Sequence, residues 1–377
     1  IAGSLSAFYV YIMLRYRNGW QRLPSWQPPA KYQPTTTCSI IIPARNEAEN
    51  IERCLRSIQQ QQYPDKLVEI IVIDDHSEDE TATIVQAFPA SNVQLLQLAQ
   101  LLEPNETQSY KKKGIELAIK QATGELIVTT DADCHMGPDW LRLLVSKYEM
   151  SEGPVQFVAA PVNFTEERSL IERFQSLDFV GMMAITGAGI HEGFQHMCNG
   201  ANLAYAKSAF ETVSGFEGIN HRASGDDMML MQKIARAFPG QLTFVKHAGA
   251  TVYTQAKPTW RSFIRQRLRW ASKSSDYEER QVTFILAGVY LFCVSILLSL
   301  LLIPLWGWPL FYFLLLQLVI KATMDYLLLQ PMTHYFGRPD LMQSFFPSVF
   351  LHWGYIVVVG TLANLVKEYE WKGRRVQ

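Results

Sequence analysis

The sequence is poor in cysteine, and its cysteines follow no recognisable spacing. The five thiols, Cys38, Cys54, Cys134, Cys198 and Cys293, are odd in number and include no Cys-x-x-Cys pair. This pattern argues against a disulfide framework and against a zinc site built from cysteine and histidine. Reduced thiols are typical of a catalytic part that faces the cytosol.

Two phosphate-binding signatures are also missing. The sequence has neither a Gly-x-Gly-x-x-Gly fingerprint nor a glycine-rich loop with a Walker lysine, which argues against a dinucleotide-dependent enzyme and against a P-loop ATPase. Internal repeats and long low-complexity tracts are absent as well. The net charge is only -1 over 377 residues, so the overall charge does not indicate binding to nucleic acid.

Hydrophobic residues are concentrated toward the C-terminus. A chain of 377 residues can form two ordinary domains, or one domain with a membrane part. The sequence has the character of a soluble domain to about residue 277 and is apolar beyond residue 282. The uncharged run Val282–Ile303 is long enough to cross a bilayer, which takes about 20 residues. Trp306–Leu329 is a second candidate span, and Ser344–Val366 is a third, although it contains Pro347 and His352.

The charges that flank these segments predict their orientation. Ile1–Leu14 is apolar, and Arg15, Arg17 and Arg22 follow it, which predicts a truncated span with its arginine end in the cytoplasm. Charges that follow the apolar stretch, rather than precede it, argue against a signal peptide. Three further spans would put the basic tail, 367–377, outside, where basic residues are disfavoured. We therefore expect the third C-terminal segment to be re-entrant or interfacial.

Two charged residues interrupt the second candidate span. Lys321 and Asp325 are separated by four positions, so on a helix they share one face and can pair. In an apolar helix, such a pair is expected to face the interior of the helix bundle. It is either a neutralised structural contact or part of a functional pathway.

Four short apolar runs alternate with helical patterns in the first third of the chain. The runs are Ser39–Ile42, Val68–Ile73, 93–98 and Leu126–Thr130. Solid apolar strands that alternate with helices predict an α/β fold, with a mostly parallel central sheet and helices on both faces. Ligands of such sheets bind at the carboxyl ends of the strands.

Acidic residues stand at two of these strand ends. Asp74 and Asp75 follow the second run, and Asp131 and Asp133 follow the fourth. In an extended chain, residues i and i+2 point to the same side, so Asp131 and Asp133 are expected to face one spot. Together with Lys112, they predict a metal held by carboxylates and shared with a diphosphate. A solvated turn would give the same Asp-x-Asp pattern.

A third acidic pair, Asp226 and Asp227, precedes an amphipathic helical pattern. Acidic residues in a first helical turn are commonly partners of the helix dipole. Here they follow Ser224 and Gly225, and the glycine allows another group to approach closely. One of the two carboxylates could therefore act as a general base, an effect worth about 10²–10⁴ in rate.

The segment before the first C-terminal span predicts a basic helix with two distinct faces. An apolar stripe is formed by Trp260, Ile264, Leu268 and Ala271. Gln266, Arg269 and Trp270 are spaced i, i+3, i+4, so they share a different face. The helix is made basic by Arg261, Arg265, Arg267 and Lys273. A basic amphipathic helix next to membrane spans is expected to lie at the membrane interface.

The chain resembles membrane-bound family 2 glycosyltransferases of the GT-A fold, in particular their cellulose-synthase-like and ceramide-glucosyltransferase-like branch. The resemblance rests on the motifs IIPARNE, VIDDHS, KKKG, DADC, SGDD and QRLRW, which occur in this order from about Cys38 to Trp270 and are followed by apolar spans. It implies an N-terminal membrane segment at 1–22, a nucleotide-sugar-binding GT-A domain at 38–256, an amphipathic interface helix at 257–277, a membrane region at 282–366 and a basic tail at 367–377.

The resemblance also implies roles for the strand-end residues. The expected donor nucleotide contacts are Pro43, Arg45, Glu47, Asp74, Asp75, Lys112 and Asp131. Within this set, Asp74 and Asp75 would read the base and ribose, and Lys112 would meet the donor phosphates. Asp131 and Asp133 match the family's D-x-D pair, with Asp133 as the direct ligand of Mg²⁺ or Mn²⁺.

The remaining motifs are expected to act at the sugar and the acceptor. Asp227 matches the catalytic base, and Asp226 stands where the family usually has glutamate. The residues expected at the diphosphate and acceptor are Asp226, Gln266, Arg269 and Trp270, with Asn199, Gly200 and Asn202 from the segment CNGANLAY.

The expected reaction is inverting, metal-dependent transfer of a hexose or N-acetylhexosamine to a hydroxyl of a lipid or lipid-linked glycan. The donor is expected to be a UDP-sugar, and the site a catalytic domain on the cytoplasmic side of a bacterial inner membrane. A processive polysaccharide synthase is an alternative, although two or three spans are few for a polymer channel. A non-catalytic nucleotide-sugar-binding protein and a transporter with a regulatory domain are further alternatives. The few spans argue against the transporter, and the acidic motifs argue against a non-catalytic protein.

Overall fold

The fold is described from a computed structural model, which describes residues 1–103, 107, 109–220, 225–271, 279–365, 369–371 and 374–376. Ser224, Lys273 and part of the basic tail, all of which enter the sequence-based predictions, lie outside these ranges.

The described helices and strands have the following bounds. The α-helices are α1 (Ala2–Arg22), α2 (Ile51–Gln59), α3 (Thr81–Gln86), α4 (Tyr110–Gln121), α5 (Trp140–Met150), α6 (Leu170–Glu192), α7 (Lys207–Thr212), α8 (Met228–Ala237), α9 (Trp260–Ala271), α10 (Arg280–Trp306), α11 (Trp308–Tyr335) and α12 (Phe345–Leu365). The strands are β1 (Cys38–Ala44), β2 (Val68–Asp74), β3 (Val93–Gln97), β4 (Leu126–Thr129), β5 (His135–Met136), β6 (Phe157–Ala159), β7 (Val162–Thr165), β8 (Leu203–Ala206), β9 (Leu242–Phe244), β10 (Val252–Gln255), β11 (Tyr369–Trp371) and β12 (Arg374–Val376). Short 3-10 helices occupy Asp65–Leu67, Leu98–Gln100, Ala248–Ala250 and Pro339–Ser344.

The chain divides into two compact units, each built from separate stretches of sequence. The sheet unit consists of Pro24–Asn163, His196–Gln255 and Glu370–Gln377. The helical unit consists of Ile1–Leu23, Phe164–Gln195 and Ala256–Tyr369.

A seven-stranded sheet in the order β3-β2-β1-β4-β8-β6-β9 forms the centre of the sheet unit. Its first four strands are all parallel, as is the β6–β9 pair, whereas β8 is antiparallel to both of its neighbours. The isoleucines Ile40, Ile41 and Ile42 of β1 are fully buried, as expected for a central strand covered on both faces. The predicted α/β fold with a mostly parallel sheet is confirmed.

In the helical unit, three helical segments are long and apolar enough to cross a membrane: Arg280–Trp306, Trp308–Tyr335 and Pro339–Ala363. They correspond to the three segments predicted from hydropathy, except that Trp306 ends α10 instead of starting α11. The helix α1 packs along α6, α10 and α11. The re-entrant or interfacial position of the third segment stays a prediction.

The charged pair in α11 lies inside the helix bundle, as predicted. The ammonium of Lys321 is 2.5 Å from Oδ2 of Asp325, and it also donates to the hydroxyl of Tyr9 at 3.1 Å. The Tyr9 hydroxyl in turn donates to the Asp325 carboxylate. These three side chains are all buried. The pair therefore has a structural role that connects α1 to α11.

We predict that Asp325→Ala lowers the free energy of unfolding by about 3–5 kcal/mol, because it leaves the buried ammonium of Lys321 without a carboxylate. A triple variant, Tyr9→Phe with Lys321→Met and Asp325→Leu, should recover most of the loss, since apolar side chains replace all three polar groups. Thermal unfolding of the full chain in detergent measures both effects.

The control is Glu52→Ala in α2, which breaks an ion pair of the same i, i+4 spacing. Glu52 and Arg56 are 54% and 67% exposed, so their pair is worth only about 0.3–0.5 kcal/mol. If Asp325→Ala is tolerated as well as Glu52→Ala, the pair is not a buried structural contact.

Candidate active site

A lysine shared by two carboxylates lies at the carboxyl end of the central sheet. The ammonium of Lys111, in the first turn of α4, is 3.1 Å from Oδ1 of Asp131 and 3.1 Å from Oδ2 of Asp226. Burial alone would lower the pKa of Lys111, but the carboxylates of Asp131, Asp226 and Asp227 hold it above its ordinary value. Lys111 is therefore a permanent positive charge. We call these four residues the lysine–aspartate cluster.

The predicted lysine, Lys112, is not part of this cluster. Its side chain is buried, and its ammonium donates to the carbonyl of Ile219 at 2.6 Å. Adjacent residues on a helix point about 100° apart, so only one of the two can face the strand ends. The structure brings Lys111, and not Lys112, to the carboxylates.

Asp131 and Asp133 lie in a turn, which corrects the extended geometry predicted for them. The strand β4 ends at Thr129, and the backbone N–H of Cys134 donates to the carbonyl of Asp131 at 3.1 Å. The argument from residues i and i+2 of a strand therefore does not apply to this pair. The carboxylate of Asp131 instead meets Lys111.

Two buried thiols support this turn. The thiol of Cys54 approaches the carbonyl of Asp131 at 3.8 Å, and the thiol of Cys134 approaches Oδ1 of Asp133 at 3.6 Å. Burial, together with the nearby Asp133 carboxylate, raises the pKa of both thiols. They stay protonated and act as weak donors to the turn.

The candidate metal ligands are few. Among the described residues, no three histidine, cysteine, aspartate or glutamate side chains come together as a protein-only metal site. Asp131 and Asp133 offer hard oxygen ligands, and Mg²⁺ commonly binds one or two carboxylates together with substrate phosphates and water. The carboxylate of Asp131 is already engaged by Lys111.

Asp227 is held in place at the start of α8. The backbone N–H of Met228 donates to its Oδ1 at 2.8 Å, and the backbone N–H of Gly200 donates to its Oδ2 at 3.1 Å. The hydroxyl of Thr129, at the end of β4, donates to the carbonyl of Gly200 at 3.1 Å. The segment around Gly200 therefore connects Asp227 to the strand end. The two N–H donors hold the carboxylate of Asp227 in one orientation.

Asn202 has a structural position, which differs from the acceptor contact expected of it. Its fully buried amide donates to the carbonyls of Pro161 and Ala250 at 2.6 and 2.8 Å. Its Oδ1 accepts from the indole N–H of Trp140 at 2.8 Å. Asn199 makes a local contact instead, in which its Oδ1 accepts from the backbone N–H of Ala201 at 3.0 Å.

The strand-end motif around Asp74 and Asp75 forms a second polar region. Both side chains are buried, and Oδ1 of Asp74 has no hydrogen-bond partner within the described parts of the chain. The Arg45 guanidinium donates to the carbonyls of Asp75 and His76 at 2.8 and 3.1 Å. Arg45 thus braces the turn that carries both carboxylates.

The neighbours of this motif are ordered by local contacts. Pro43 lies inside β1, opposite Ile73 of β2. The carboxylate of Glu47 accepts from the side-chain amide of Asn50 at 2.8 Å. His76, which the sequence-based prediction did not include, adopts a left-handed φ of 53° and contacts Oδ1 of Asp75 at 3.0 Å.

His76 also joins this region to the start of α4. Its ring meets the ring of Tyr110 edge-on, with a centroid distance of 5.2 Å. Tyr110 directly precedes Lys111. The sequence offered one signal for His76, namely its position directly after the two aspartates.

The third group of predicted residues, Gln266, Arg269 and Trp270, belongs to α9 in the helical unit. Here the buried face of the helix differs from the predicted apolar stripe. Phe263 and Arg267 are buried, whereas Trp260 is 46% exposed. The Oε1 atom of Gln266 is buried and, among the residues that the structure describes, meets no hydrogen-bond donor.

Comparison with protein families gives two matches. The model described as "Glycosyl transferase family 2" matches residues 39–211, and the model "Glycosyl transferase family group 2" matches residues 126–327. The second match covers more than half of the chain and includes the lysine–aspartate cluster except Lys111, as well as α9.

Comparison with individual proteins gives relatives of the same kind. "Glycosyltransferase AglE" of Haloferax volcanii is 30% identical over 194 residues, which cover 50% of this chain and 58% of that protein. "Probable glycosyltransferase YdaM" of Bacillus subtilis is 25% identical over 263 residues, 68% of this chain and 59% of that protein. The chain thus spans less than two thirds of the length of these relatives.

A solved structure has the same fold over nearly the whole chain. The mannosyltransferase PcManGT from Pyrobaculum calidifontis, in complex with GDP-Man and Mn²⁺, superposes with a TM-score of 0.63 at 19% identity. The match covers 93% of this chain and 98% of PcManGT. At this identity, the comparison shows a common GT-A-like fold.

We predict that Asn202→Ala strongly destabilises the chain, because the indole N–H of Trp140 and the carbonyl of Ala250 lose their buried partner, each at a cost of about 1–3 kcal/mol. Asn199→Ala should change the free energy of unfolding by about 1 kcal/mol or less, since its contact is local. Thermal unfolding of the two purified variants measures the difference. Equal unfolding temperatures would show that Asn202 is not a structural residue.

Proposed function

Because the chain belongs to glycosyltransferase family 2, we propose that it transfers a hexose or N-acetylhexosamine from a nucleotide sugar to a hydroxyl group, with inversion at the anomeric carbon. The acceptor is a lipid or lipid-linked glycan at a membrane. The observation that carries this proposal is the lysine–aspartate cluster, in which Lys111 bridges Asp131 and Asp226, next in sequence to the anchored Asp227, at the carboxyl end of the sheet.

The nucleoside part of the donor binds at the Asp74–Asp75 motif. Oδ1 of Asp74 is a buried acceptor that meets no donor among the described residues, and a buried acceptor without a donor is costly. An N–H of the base or an O–H of the ribose would satisfy it. Arg45 fixes the turn, so the acceptor is oriented before the nucleotide arrives.

Asp227 acts as the general base. It removes the proton from the acceptor hydroxyl as that oxygen attacks the anomeric carbon, and the nucleoside diphosphate leaves from the opposite face. Both of its oxygens already accept a backbone N–H, but a carboxylate has about four lone-pair sites. These two bonds therefore do not exclude proton transfer to the carboxylate, and no covalent enzyme intermediate is required.

Lys111, in the role first expected of Lys112, supplies fixed positive charge for the diphosphate. Its two carboxylate partners hold the ammonium in place, so little reorganisation is needed when charge develops on the leaving group. Arg269, Gln266 and Trp270 of α9 are proposed to contact the diphosphate and the acceptor, in accordance with the family motif.

Asp133, together with Asp131, would hold Mg²⁺ or Mn²⁺. The oxygen donors of this turn suit either ion when donor phosphates complete the coordination, and PcManGT was solved with Mn²⁺ and GDP-Man. When bound, such an ion neutralises charge on the diphosphate leaving group.

A membrane location is supported by the three apolar helical segments. We favour a single transfer to a lipid-anchored acceptor over the processive synthesis and export of a polymer. We propose that the catalytic domain faces the cytoplasm of a bacterial inner membrane and that α9 lies at the membrane interface, with Trp260, Arg261 and Arg265 on its exposed side.

The test is release of nucleoside diphosphate from a panel of UDP-, GDP- and TDP-sugars. Detergent-solubilised protein is supplied with Mn²⁺ or Mg²⁺ and a membrane-lipid extract, beside Asp227→Asn. We expect turnover of one donor that a chelator abolishes and that falls at least about 10²-fold in the variant. If the variant equals the parent, Asp227 is not the base. The length of the product separates a single-sugar transferase from a polymer synthase.

We further predict that Lys111→Gln lowers kcat by about 10²–10³-fold, since it removes one preorganised positive charge from the leaving group. The unfolding temperature should fall as well, because Asp131 and Asp226 lose the cation between them. Lys112→Met should lower the unfolding temperature with little change in kcat, because Lys112 ties α4 to the carbonyl of Ile219.

Lys113→Gln is the matched control, because Lys113 forms only a partly exposed pair with Glu116 at 3.6 Å. It should leave both quantities unchanged. If Lys112→Met loses turnover at unchanged stability while Lys111→Gln keeps its turnover, then Lys112, and not Lys111, binds the donor phosphates.

A further inference from the structure

A buried carboxylate in the helical unit binds two neighbouring helices at once. Asp178, on α6, has a side chain that is only 6% exposed. It accepts from the guanidinium of Arg267 on α9 at 2.9 Å and from the hydroxyl of Tyr355 on α12 at 3.3 Å. The ring of His352, also on α12, lies 3.6 Å from Oδ1 of Asp178.

Arg267 stands between the motif residues Gln266 and Arg269 but points to a different side of α9. Its guanidinium carbon lies 4.4 Å from the ring centroid of Trp270 and 5.1 Å from that of Phe263. The Trp270 ring also packs on Phe179, with a centroid distance of 6.1 Å, and Phe179 follows Asp178 directly. Trp270 is thus held between the ion pair and α6.

This arrangement is costly if its only purpose is stability. Both charges are almost fully buried, and burial raises the pKa of Asp178 although Arg267 lowers it. Apolar side chains of similar volume commonly stabilise a protein as well as a buried ion pair does. What an arginine adds is a planar fork that binds a carboxylate and stacks on a ring in one fixed geometry.

We propose that Asp178 is a positioning residue for the Gln-x-x-Arg-Trp helix: through Arg267, it sets the orientation of Trp270 and the seating of α9 against α6 and α12. This proposal rests on the proposed glycosyl transfer for its catalytic consequence. The packing of α9 against α6 and α12 can be measured independently of the proposed glycosyl transfer.

The first test is hydrogen exchange of the full chain in detergent, with Asp178→Asn. The neutral amide keeps the shape of the carboxylate but not its charge. We expect exchange to become faster in residues 260–271, and to be unchanged in α8. The matched control is Glu192→Gln, which removes another carboxylate of α6, one that pairs with Arg22 of α1 at 3.0 Å. Unchanged exchange of α9 in Asp178→Asn would overturn the proposal.

The second test is a kinetic cycle with Trp270→Phe. If Asp178 acts through Trp270, Asp178→Asn lowers kcat by up to about 10²-fold, and the double variant loses little more than Trp270→Phe alone. A purely structural role would instead give additive losses that follow the unfolding temperature. Arg267→Lys keeps the charge but not the stacked plane, so we expect it to fold like the parent and still lose turnover.

The two measurements separate this proposal from the proposed function. If the parent turns over no donor but α9 exchanges faster in Asp178→Asn, the proposed glycosyl transfer is wrong, whereas the role of Asp178 in the packing of α9 is supported. If the parent is active and the losses are additive, the role of Asp178 in positioning Trp270 is wrong.

Discussion

Carboxylates converge at the carboxyl ends of the parallel strands, and the ammonium of Lys111 lets two of them share one small region. Asp131 comes from the turn after β4 and Asp226 from the segment before α8, and each lies 3.1 Å from the same nitrogen. Without a cation between them, like charges this close would repel each other. The position of Asp227, one residue further along, depends on the same arrangement because α8 begins there. The sheet therefore brings the carboxylates close together, and the charge of Lys111 offsets their mutual repulsion.

In the helical unit, charged and polar groups likewise need partners, because their surroundings are apolar. Several polar groups in its long helices are paired with one another: Lys321 with Asp325 and Tyr9, and the amide of Gln317 with the hydroxyls of Ser295 and Ser299 at 2.8 Å each. Pairing of this kind fixes which helix faces meet, since an apolar surface alone allows many rotations. Asp178 and Arg267 follow the same rule where α6, α9 and α12 meet.

The sequence allowed the fold to be predicted because hydrophobic strands and helices leave a periodic pattern that depends only on neighbours in the chain. From the sequence it was also possible to predict that acidic motifs stand at the strand ends. The positions of individual side chains that depend on distant partners could not be predicted. Three consecutive lysines point in three directions, and only the fold decides that Lys111 reaches the carboxylates. The burial of Arg267 on α9 was not predicted for the same reason, because it depends on Asp178, 89 positions away. Asn202 was predicted to be a site residue, because its three structural partners are 41 to 62 positions away in the sequence and could not be inferred from it.

The contact between Tyr9 and Asp325 has a consequence for the order of events during synthesis. Its two residues are separated by 316 positions, and almost the entire sheet unit is encoded between them. Domains generally fold as units while the chain is still being made. The Tyr9 hydroxyl can therefore meet Asp325 only after α6, α9, α10 and the first part of α11 have also been synthesised. The contact between α1 and α11 is thus a long-range one, of the kind that slows folding because the loop must close before the contact contributes.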